Sequence, residues 1–318
     1  MILAGVDIGT LTCRLLIASI SSDGQLTELR AERQLLRLGE GVDEHGTLHP
    51  AAMARVVETL KAWRQIIGAY PVDREIAVAT SAVRDAGNRD EFLSLIRRDA
   101  GFSVEIISGE DEARRTMVGI RSGLPHGTSD VLAVDIGGGS TEFIVDRQGR
   151  PPVVRSFDMG VVRLAERFLK HDPPTSEEVE AVRTVVRAST AEVQPFLRDL
   201  TETTCVGTAG TITTLAAMAQ DMDRFEHARI HNYRLTLEDI VQLERELLSR
   251  TQAERQGMPG LESGREEVIV SGVIILSTVM STLGASECLV SNFGLREGML
   301  LNAAAAPARS HPLRTHHA

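Results

Sequence analysis

One short pattern occurs twice in this chain, once near the N-terminus and once near the middle. Residues 6–18 read VDIGTLTCRLLIA and residues 132–145 read LAVDIGGGSTEFIV, so that Asp7 and Asp135 precede the same kind of glycine-containing polar turn. In each copy an apolar run enters the turn and another leaves it, which predicts two strands joined by a tight loop. The repeat therefore predicts two related halves that share one anion-binding site, because free N–H groups in such turns converge on anions.

The second turn carries three consecutive glycines, Gly137, Gly138 and Gly139. Glycine removes the Cβ atom where the backbone turns sharply or approaches another group closely. Asp135 stands where a carboxylate can hold a divalent cation, and Glu142 stands where a carboxylate can orient a water molecule. For one copy taken alone, a glycine-rich hairpin with a capping aspartate is an equal alternative; the repetition favours the phosphate site.

Composition excludes several classes of function. The formal net charge is −10 and aromatic residues make up 3% of the 318 residues, which argues against a general nucleic-acid-binding protein. The three cysteines are far apart and form no CxxC pair, so neither a disulfide framework nor a zinc site is predicted, and a cytoplasmic location is expected. Asp7 interrupts the first apolar stretch, so we predict no signal peptide. The apolar stretch 268–285 contains several serines and threonines, which favours a buried helix over a membrane span.

Strand and helix patterns alternate along the chain, which predicts an α/β protein with mixed sheets flanked by helices. We expect a first domain over 1–124, a second domain over 125–306 and a disordered tail over 307–318. The last helix, at about 295–306, is expected to pack back on the first domain. A long helix is predicted to begin with Ser176 as its N-cap.

The two turns resemble the phosphate-1 and phosphate-2 loops of the actin, sugar-kinase and heat-shock-70 ATPase superfamily. This resemblance implies an α/β fold of duplicated actin-like, ribonuclease H-like domains with a cleft between them. Over nearly the whole chain the motifs further resemble the exopolyphosphatase / guanosine pentaphosphate phosphatase family, in its short two-domain form. The segments that carry this resemblance, in family order, are DIGTLTCRLLIA at 7–18, ATSAVRDAGN at 79–88, IISGEDEAR at 106–114, DIGGGSTE at 135–142, DMGVVRL at 158–164, VGTAGTITTL at 206–215 and SNFGLREG at 291–298.

The family resemblance implies a role for each candidate site residue. Glu112 in SGEDEAR matches the general base, and Glu142 in GGGSTE matches a second carboxylate that positions water or metal. Asp135 and Asp7 match the acidic residues near Mg²⁺, with Glu142 as a further ligand and Mn²⁺ as the alternative ion. The residues expected to bind phosphate are Thr10, Thr12, Arg84, Gly137, Gly138, Gly139, Ser140, Gly207, Thr208 and Gly210.

The implied reaction is hydrolysis of a terminal phosphoanhydride. We expect processive release of orthophosphate from inorganic polyphosphate, with guanosine pentaphosphate (pppGpp) as the alternative substrate. A regulator that binds these anions without turnover is a second hypothesis, against which the intact pair Glu112 and Glu142 argues. A kinase of the same superfamily is a third, and we see no SGEDEAR counterpart in kinases.

The resemblance also implies a homodimer, while no nucleic-acid or membrane partner is expected. Two positions depart from the family pattern: Leu11 stands where Asn is usual, and Glu267 stands where Asp is usual. The first departure removes a polar side chain from the first phosphate loop.

Overall fold

The structure is a computed structural model that describes residues 1–197 and 203–306. The strands are β1 Ile2–Ile8, β2 Thr12–Ile20, β3 Leu26–Leu35, β4 Arg74–Ala79, β5 Val104–Ile106, β6 Asp130–Ile136, β7 Thr141–Asp146, β8 Val153–Phe157, β9 Thr203–Thr208, β10 Arg234–Thr236 and β11 Glu287–Val290. The predicted tail over 307–318 lies outside the described residues.

The helices lie on both faces of the sheets that these strands form. They are α1 Val42–His45, α2 Pro50–Gly68, α3 Ser81–Asp85, α4 Arg89–Leu95, α5 Gly109–Gly123, α6 Val161–Phe168, α7 Ser176–Val193, α8 Ala209–Met218, α9 His227–Ile230, α10 Leu237–Leu248, α11 Gln252–Arg255, α12 Val268–Leu283 and α13 Leu295–Ala305. A π-helical turn, Ile96–Ala100, follows α4, and a 3₁₀ turn, Gln194–Phe196, follows α7.

The two sheets repeat one arrangement of five strands. In the first sheet the order is β3-β2-β1-β4-β5, and in the second it is β8-β7-β6-β9-β11, with β10 added at the edge. In both sheets the first strand pairs antiparallel with the second and parallel with the fourth. The shared order confirms the duplicated α/β fold predicted from the repeat.

Two helices each pack on the sheet formed by the other half of the chain. The apolar face of α5, with Ala113 and Met117, packs on the second sheet, whereas α13 places Leu300 against Leu3 and Leu16 of the first sheet. We therefore call residues 1–107 with 295–305 the first lobe, and the described residues of 108–294 the second lobe. The predicted boundary after residue 124 follows chain order and assigns α5 to the first domain, while its buried face packs on the second.

The second lobe is built around α12. Every residue from Val268 to Met280 is buried, as expected for a helix that is apolar on all sides and enclosed by other elements. The helix packs against α6, α7, α8 and α10. Among the described residues, no helix is long and apolar enough to cross a membrane.

The start of α7 differs from the prediction by one residue. Its N-cap is Thr175, whose hydroxyl accepts the N–H of Glu178 at 3.3 Å, while the Glu178 carboxylate accepts the N–H of Thr175 at 3.0 Å. This reciprocal pair is a capping box, which needs the acid three residues after the cap. Ser176 lacks that spacing, so its assignment as the N-cap is wrong.

Candidate active site

The two repeated turns have the same hydrogen bond. Between β1 and β2 the N–H of Gly9 donates to Thr12 O at 3.2 Å, and between β6 and β7 the N–H of Gly137 donates to Ser140 O at 3.0 Å. Each bond closes a tight turn at the end of a buried strand that carries an aspartate. The alignment of Thr12 with Ser140 therefore reflects equivalent backbone geometry.

The two turns face each other across the lobes at very short range. A Cβ atom on Gly138 would lie 2.9 Å from Thr10 Cβ and 3.0 Å from Leu11 N, and one on Gly139 would collide with the Ser81 hydroxyl. Behind them, a Cβ on Gly160 would meet the Gly138 backbone. Gly138 and Gly139 are therefore explained by close approach across the cleft, whereas Gly137 packs against Ser140 O of its own turn.

A cleft of about 250 Å³ lies between the lobes at these turns. The candidate residues that line it are Asp7, Thr10, Thr12, Glu112, Asp135, Gly137, Gly138, Gly139, Ser140, Thr208 and Gly210. Three candidates do not line the cleft: Arg84 and Glu142 lie beside residues that do, whereas Gly207 lies inside β9, where a Cβ would meet Ile212 and Cys288. We therefore remove Gly207 from the candidate phosphate-binding residues.

Burial raises the pKa of four carboxyl groups at or beside the cleft, those of Asp7, Glu112, Asp135 and Glu142. The pKa of Asp7 is raised to about 6, although Arg14 and Arg296 draw it down. The pKa of Asp135 is raised by burial, against the charge of Arg14 and a hydrogen bond from Thr116. Burying carboxylates without a neighbouring cation costs free energy, so an additional positive charge would stabilise the ionised form of this cluster.

The two glutamates occupy different depths. Glu112 begins α5 at the cleft, and its pKa is raised well above its ordinary value by burial and then by the charges of Glu142, Asp135 and Asp7. Glu142 lies behind the turn, 1% exposed, and accepts a hydrogen bond from the Ser156 hydroxyl at 2.7 Å. Burial and Asp135 raise the pKa of Glu142 to about 8.

Arg84 belongs to the first lobe and faces Glu112 of the second. Its Nη1 lies 3.6 Å from Glu112 Oε2 and donates to Ile107 O at 2.9 Å. The guanidinium lowers the pKa of Glu112 against the effect of burial. Arg84 thus holds a positive charge beside a carboxylate that lines the cleft.

Four arginines that line the cleft were not predicted from the sequence, namely Arg14, Arg33, Arg265 and Arg296. Arg14 lies directly opposite Asp7 in the β1–β2 register, just as Glu142 lies opposite Asp135 in the β6–β7 register. Within the described ranges, the Arg14 guanidinium makes no ion pair or hydrogen bond, and desolvation lowers its pKa to about 10. An unpaired guanidinium in a cleft attracts an anion strongly.

A third loop completes the anion-binding side of the cleft. Thr208 anchors it, because its hydroxyl donates to Ser291 O at 3.0 Å and to Phe293 O at 3.1 Å. Ala209 follows with a φ of 73°, a left-handed conformation that costs a residue with a side chain about 1–3 kcal/mol. The N-terminus of α8 then lies at the cleft with Gly210, where its free N–H groups favour negative charge.

The residues of the cleft fit a hard divalent cation held together with a phosphate. Asp7 Oδ1 and Glu112 Oε2 are buried without a hydrogen-bond partner, and Mg²⁺ binds through one or two carboxylates plus substrate phosphates and water. Among the described residues no three acidic, histidine or cysteine side chains are grouped closely enough to hold a metal alone. This arrangement fits a cation bound jointly by Asp7, Asp135 and the substrate.

Comparison with known proteins identifies the family. The model of the Ppx/GppA phosphatase family matches residues 16–306. The chain belongs to this family. It is 35% identical to exopolyphosphatase 2 of Mycobacterium tuberculosis over 95% of this chain and 98% of that protein.

Solved structures of Ppx/GppA proteins share the fold over nearly the full length. The Aquifex aeolicus family member is 32% identical, with a TM-score of 0.81, over 98% of this chain and 99% of that one. An exopolyphosphatase from Cytophaga hutchinsonii is 29% identical, with a TM-score of 0.86, over 95% and 98% of the two chains.

The two departures from the Ppx/GppA pattern both lie at contacts between the lobes. Leu11 is 5% exposed and belongs to the apolar cluster of the second lobe. Glu267 pairs with Arg37 of the first lobe at 2.9 Å. Each residue therefore has a structural partner in this protein.

Proposed function

We propose that this protein hydrolyses the terminal phosphoanhydride of inorganic polyphosphate and releases orthophosphate. The observation that carries the proposal is the position of Glu112, whose buried Oε2 lies at a cleft formed by two phosphate turns and faces Arg84. Membership of the Ppx/GppA family and similarity to named exopolyphosphatases support the same reaction class. Guanosine pentaphosphate is the second candidate substrate, since it also ends in a phosphoanhydride.

In the proposed reaction Glu112 accepts a proton from a water molecule as the water oxygen attacks the terminal phosphorus. The P–O bond to the next phosphate breaks, and the leaving oxygen keeps the bonding electrons. Such transfers depend on positioning and on neutralising charge. Backbone N–H groups of Gly138, Gly139 and Gly210 line the cleft and would donate to the phosphoryl oxygens, as in an oxyanion site.

The remaining candidate residues act on charge and orientation. Asp7 and Asp135 would hold Mg²⁺, or Mn²⁺, which when bound neutralises charge on the phosphates. Glu142 is assigned to the support of Asp135 and the nearby turn, since it lies behind the cleft. Arg14 adds an unpaired positive charge to the cleft, and Arg265 and Arg296 add charges that are paired with Glu262 and Glu297. Several cations in one cleft support a substrate with several phosphates.

The test is divalent-dependent phosphate release by purified protein. Long-chain polyphosphate and pppGpp are supplied separately with Mg²⁺, and Glu112→Gln is the matched control because it keeps the size of the side chain. Release by the wild type and none by the variant, with binding of both substrates retained, supports the hydrolase. Binding without release by the wild type would favour the regulator, and phosphate transfer from ATP to a small substrate would favour the kinase.

We also propose a cytoplasmic homodimer, as the family resemblance implies. Size-exclusion chromatography with light scattering tests the oligomeric state directly. A mass near 34.5 kDa would contradict the dimer, since that is the mass of one chain.

A further inference from the structure

One arginine that is largely shielded from solvent joins the two lobes beside the phosphate turns. Arg163 at the start of α6 donates from Nε to Gly139 O at 2.9 Å, from Nη1 to Asp43 at 2.6 Å and from Nη2 to Asp85 at 2.5 Å. Its side chain is 12% exposed and that of Asp43 is 15% exposed. Arg163 and Gly139 belong to the second lobe, whereas Asp43 and Asp85 belong to the first.

The partners of Arg163 are connected to the reacting groups. Gly139 is part of the second phosphate turn, and Asp85 ends α3 directly after Arg84, which faces Glu112. Ser81 at the other end of α3 donates to Asp85 at 3.3 Å and lies where a Cβ on Gly139 would collide with it. A displacement of Arg163 would therefore loosen the phosphate turn and α3 at the same time.

We propose that Arg163 is a positioning residue that holds the lobes of the substrate-free enzyme in the arrangement that brings the two phosphate turns together. The inference deepens the proposed hydrolysis of phosphoanhydrides and rests on it for its kinetic test. A planar guanidinium donates in three directions at fixed angles, which a lysine ammonium on a flexible stem does not reproduce. Without these contacts a smaller fraction of the enzyme has both phosphate turns placed to bind the terminal phosphate.

The chain provides a matched control one turn further along α6. Arg167 pairs with the same Asp43, at 2.5 Å from Nη2, and its side chain is 43% exposed. In the described structure it makes no contact with Gly139 or Asp85. Loss of Arg167 therefore removes an ion pair between the lobes but leaves the contact with the phosphate turn intact, and exposed pairs of this kind contribute little.

The kinetic experiment compares Arg163→Gln, Arg163→Lys and Arg167→Gln with the wild type on polyphosphate with Mg²⁺. We expect KM to rise about tenfold in both Arg163 variants, with a smaller change in kcat, because apparent affinity falls with the fraction of competent enzyme. Arg167→Gln is expected to change KM less than about twofold. Loss of folded protein alone would lower the maximal rate and leave KM unchanged, and that result would overturn the proposal.

The second experiment measures the distance between the lobes without substrate. Spin labels are placed by Glu58→Cys on α2 and Ala188→Cys on α7, both exposed, while Cys13, Cys205 and Cys288 are buried. We expect Arg163→Gln to broaden the distance distribution and Arg167→Gln to leave it unchanged. An unchanged distribution in Arg163→Gln would overturn the proposal even if the wild type hydrolysed no phosphoanhydride, so the two proposals fail separately.

Asp85→Asn serves where Arg163→Gln folds poorly, since it removes the partner in the first lobe and keeps the shape of the side chain. Thermal melting of each variant establishes that the fold is retained. In the double variant Asp85→Asn/Arg163→Lys, the increase in KM is expected to be smaller than the product of the increases in the two single variants. This result is typical of residues that share one interaction. Fully multiplicative effects would contradict a shared contact.

Discussion

Arg84 Nη1 lies 3.6 Å from Glu112 Oε2, and this ion pair joins the first lobe to the helix that begins the second. The pair sets the protonation of the proposed base. Burial and three neighbouring carboxylates raise the pKa of Glu112, and the charge of Arg84 lowers it. Because a base acts only when ionised, kcat/KM is expected to rise with pH through the pKa of Glu112.

Arg84→Gln is expected to move this ascending limb to higher pH, since the variant loses the charge that favours ionised Glu112. Activity at pH 7 should fall about tenfold for each unit by which the limb moves. The pH dependence of kcat/KM at saturating Mg²⁺ measures the shift, with Arg84→Lys as the variant that keeps the charge. A lower rate with an unmoved limb would assign Arg84 to phosphate binding alone.

Glu142 makes stability depend on pH. Its pKa is about 8 in the fold, against an ordinary value of 4.5, so that between these values the unfolded chain has released a proton that the folded protein keeps. The contribution of Glu142 to stability is therefore present below pH 4.5 and is lost as the pH rises to 8. Glu142→Gln should melt at a higher temperature than the wild type at pH 8.5, and the difference should shrink toward pH 5.

The measurement is thermal unfolding without divalent cations across this range. Ser156→Ala is a useful control because it removes the hydrogen bond to Glu142 but leaves the carboxyl group in place. Parallel melting curves of wild type and Glu142→Gln at all pH values would show that Glu142 does not titrate in this window.

Asp7 is expected to hold the divalent cation, since its Oδ1 is buried and has no hydrogen-bond partner. Asp7→Asn should raise the Mg²⁺ concentration that gives half-maximal activity by about tenfold or more. Titration calorimetry with Mn²⁺ gives the loss of metal binding independently of turnover. Asp23→Asn, in an exposed turn of the same lobe, is the control; an equal effect in both variants would contradict the assignment.

Leu11→Asn restores the residue that is usual in the family, yet it is expected to destabilise this protein. Leu11 is 5% exposed and packs in the apolar cluster of the second lobe, where the neighbouring side chains are apolar and offer an amide no hydrogen bond. The expected loss is about 2 kcal/mol or more of unfolding free energy. Urea denaturation measures it, and an unchanged midpoint with tighter phosphate binding would show that the polar side chain is accommodated.

The positions of the residues in the two repeated motifs could be predicted from the sequence alone. Asp7, Asp135 and the glycine turn could be predicted because strand and turn patterns are local. Arg14 was missed although it is the counterpart of Glu142 in the other hairpin. The register of the β1–β2 hairpin was the signal that could have found it. A turn over Gly9 to Thr12 fixes this register and places Arg14 opposite Asp7.

Other parts of the site had no local signal. Arg265 and Arg296 reach the cleft because distant segments, one before α12 and one in α13, fold onto it. Gly207 illustrates the opposite error: a glycine in a motif-like sequence serves packing between β9, α8 and β11. Tertiary packing decides whether such a residue reaches the cleft, and the periodicity of the sequence carries no information about that packing.

The exchange of α5 and α13 has a consequence for how the lobes can be separated. In the described part of the chain, the backbone passes from the first lobe to the second after residue 107 and returns before residue 295. A fragment that stops at residue 124 would expose Leu3 and Leu16, which Leu300 covers. Cutting the backbone at one place therefore does not yield two complete lobes. A chimaera that takes one lobe from a relative needs two junctions in its sequence. The closely packed glycines of α5 and α13, Gly119 and Gly298, lie on opposite sides of the second junction, so both must be kept when one lobe is exchanged.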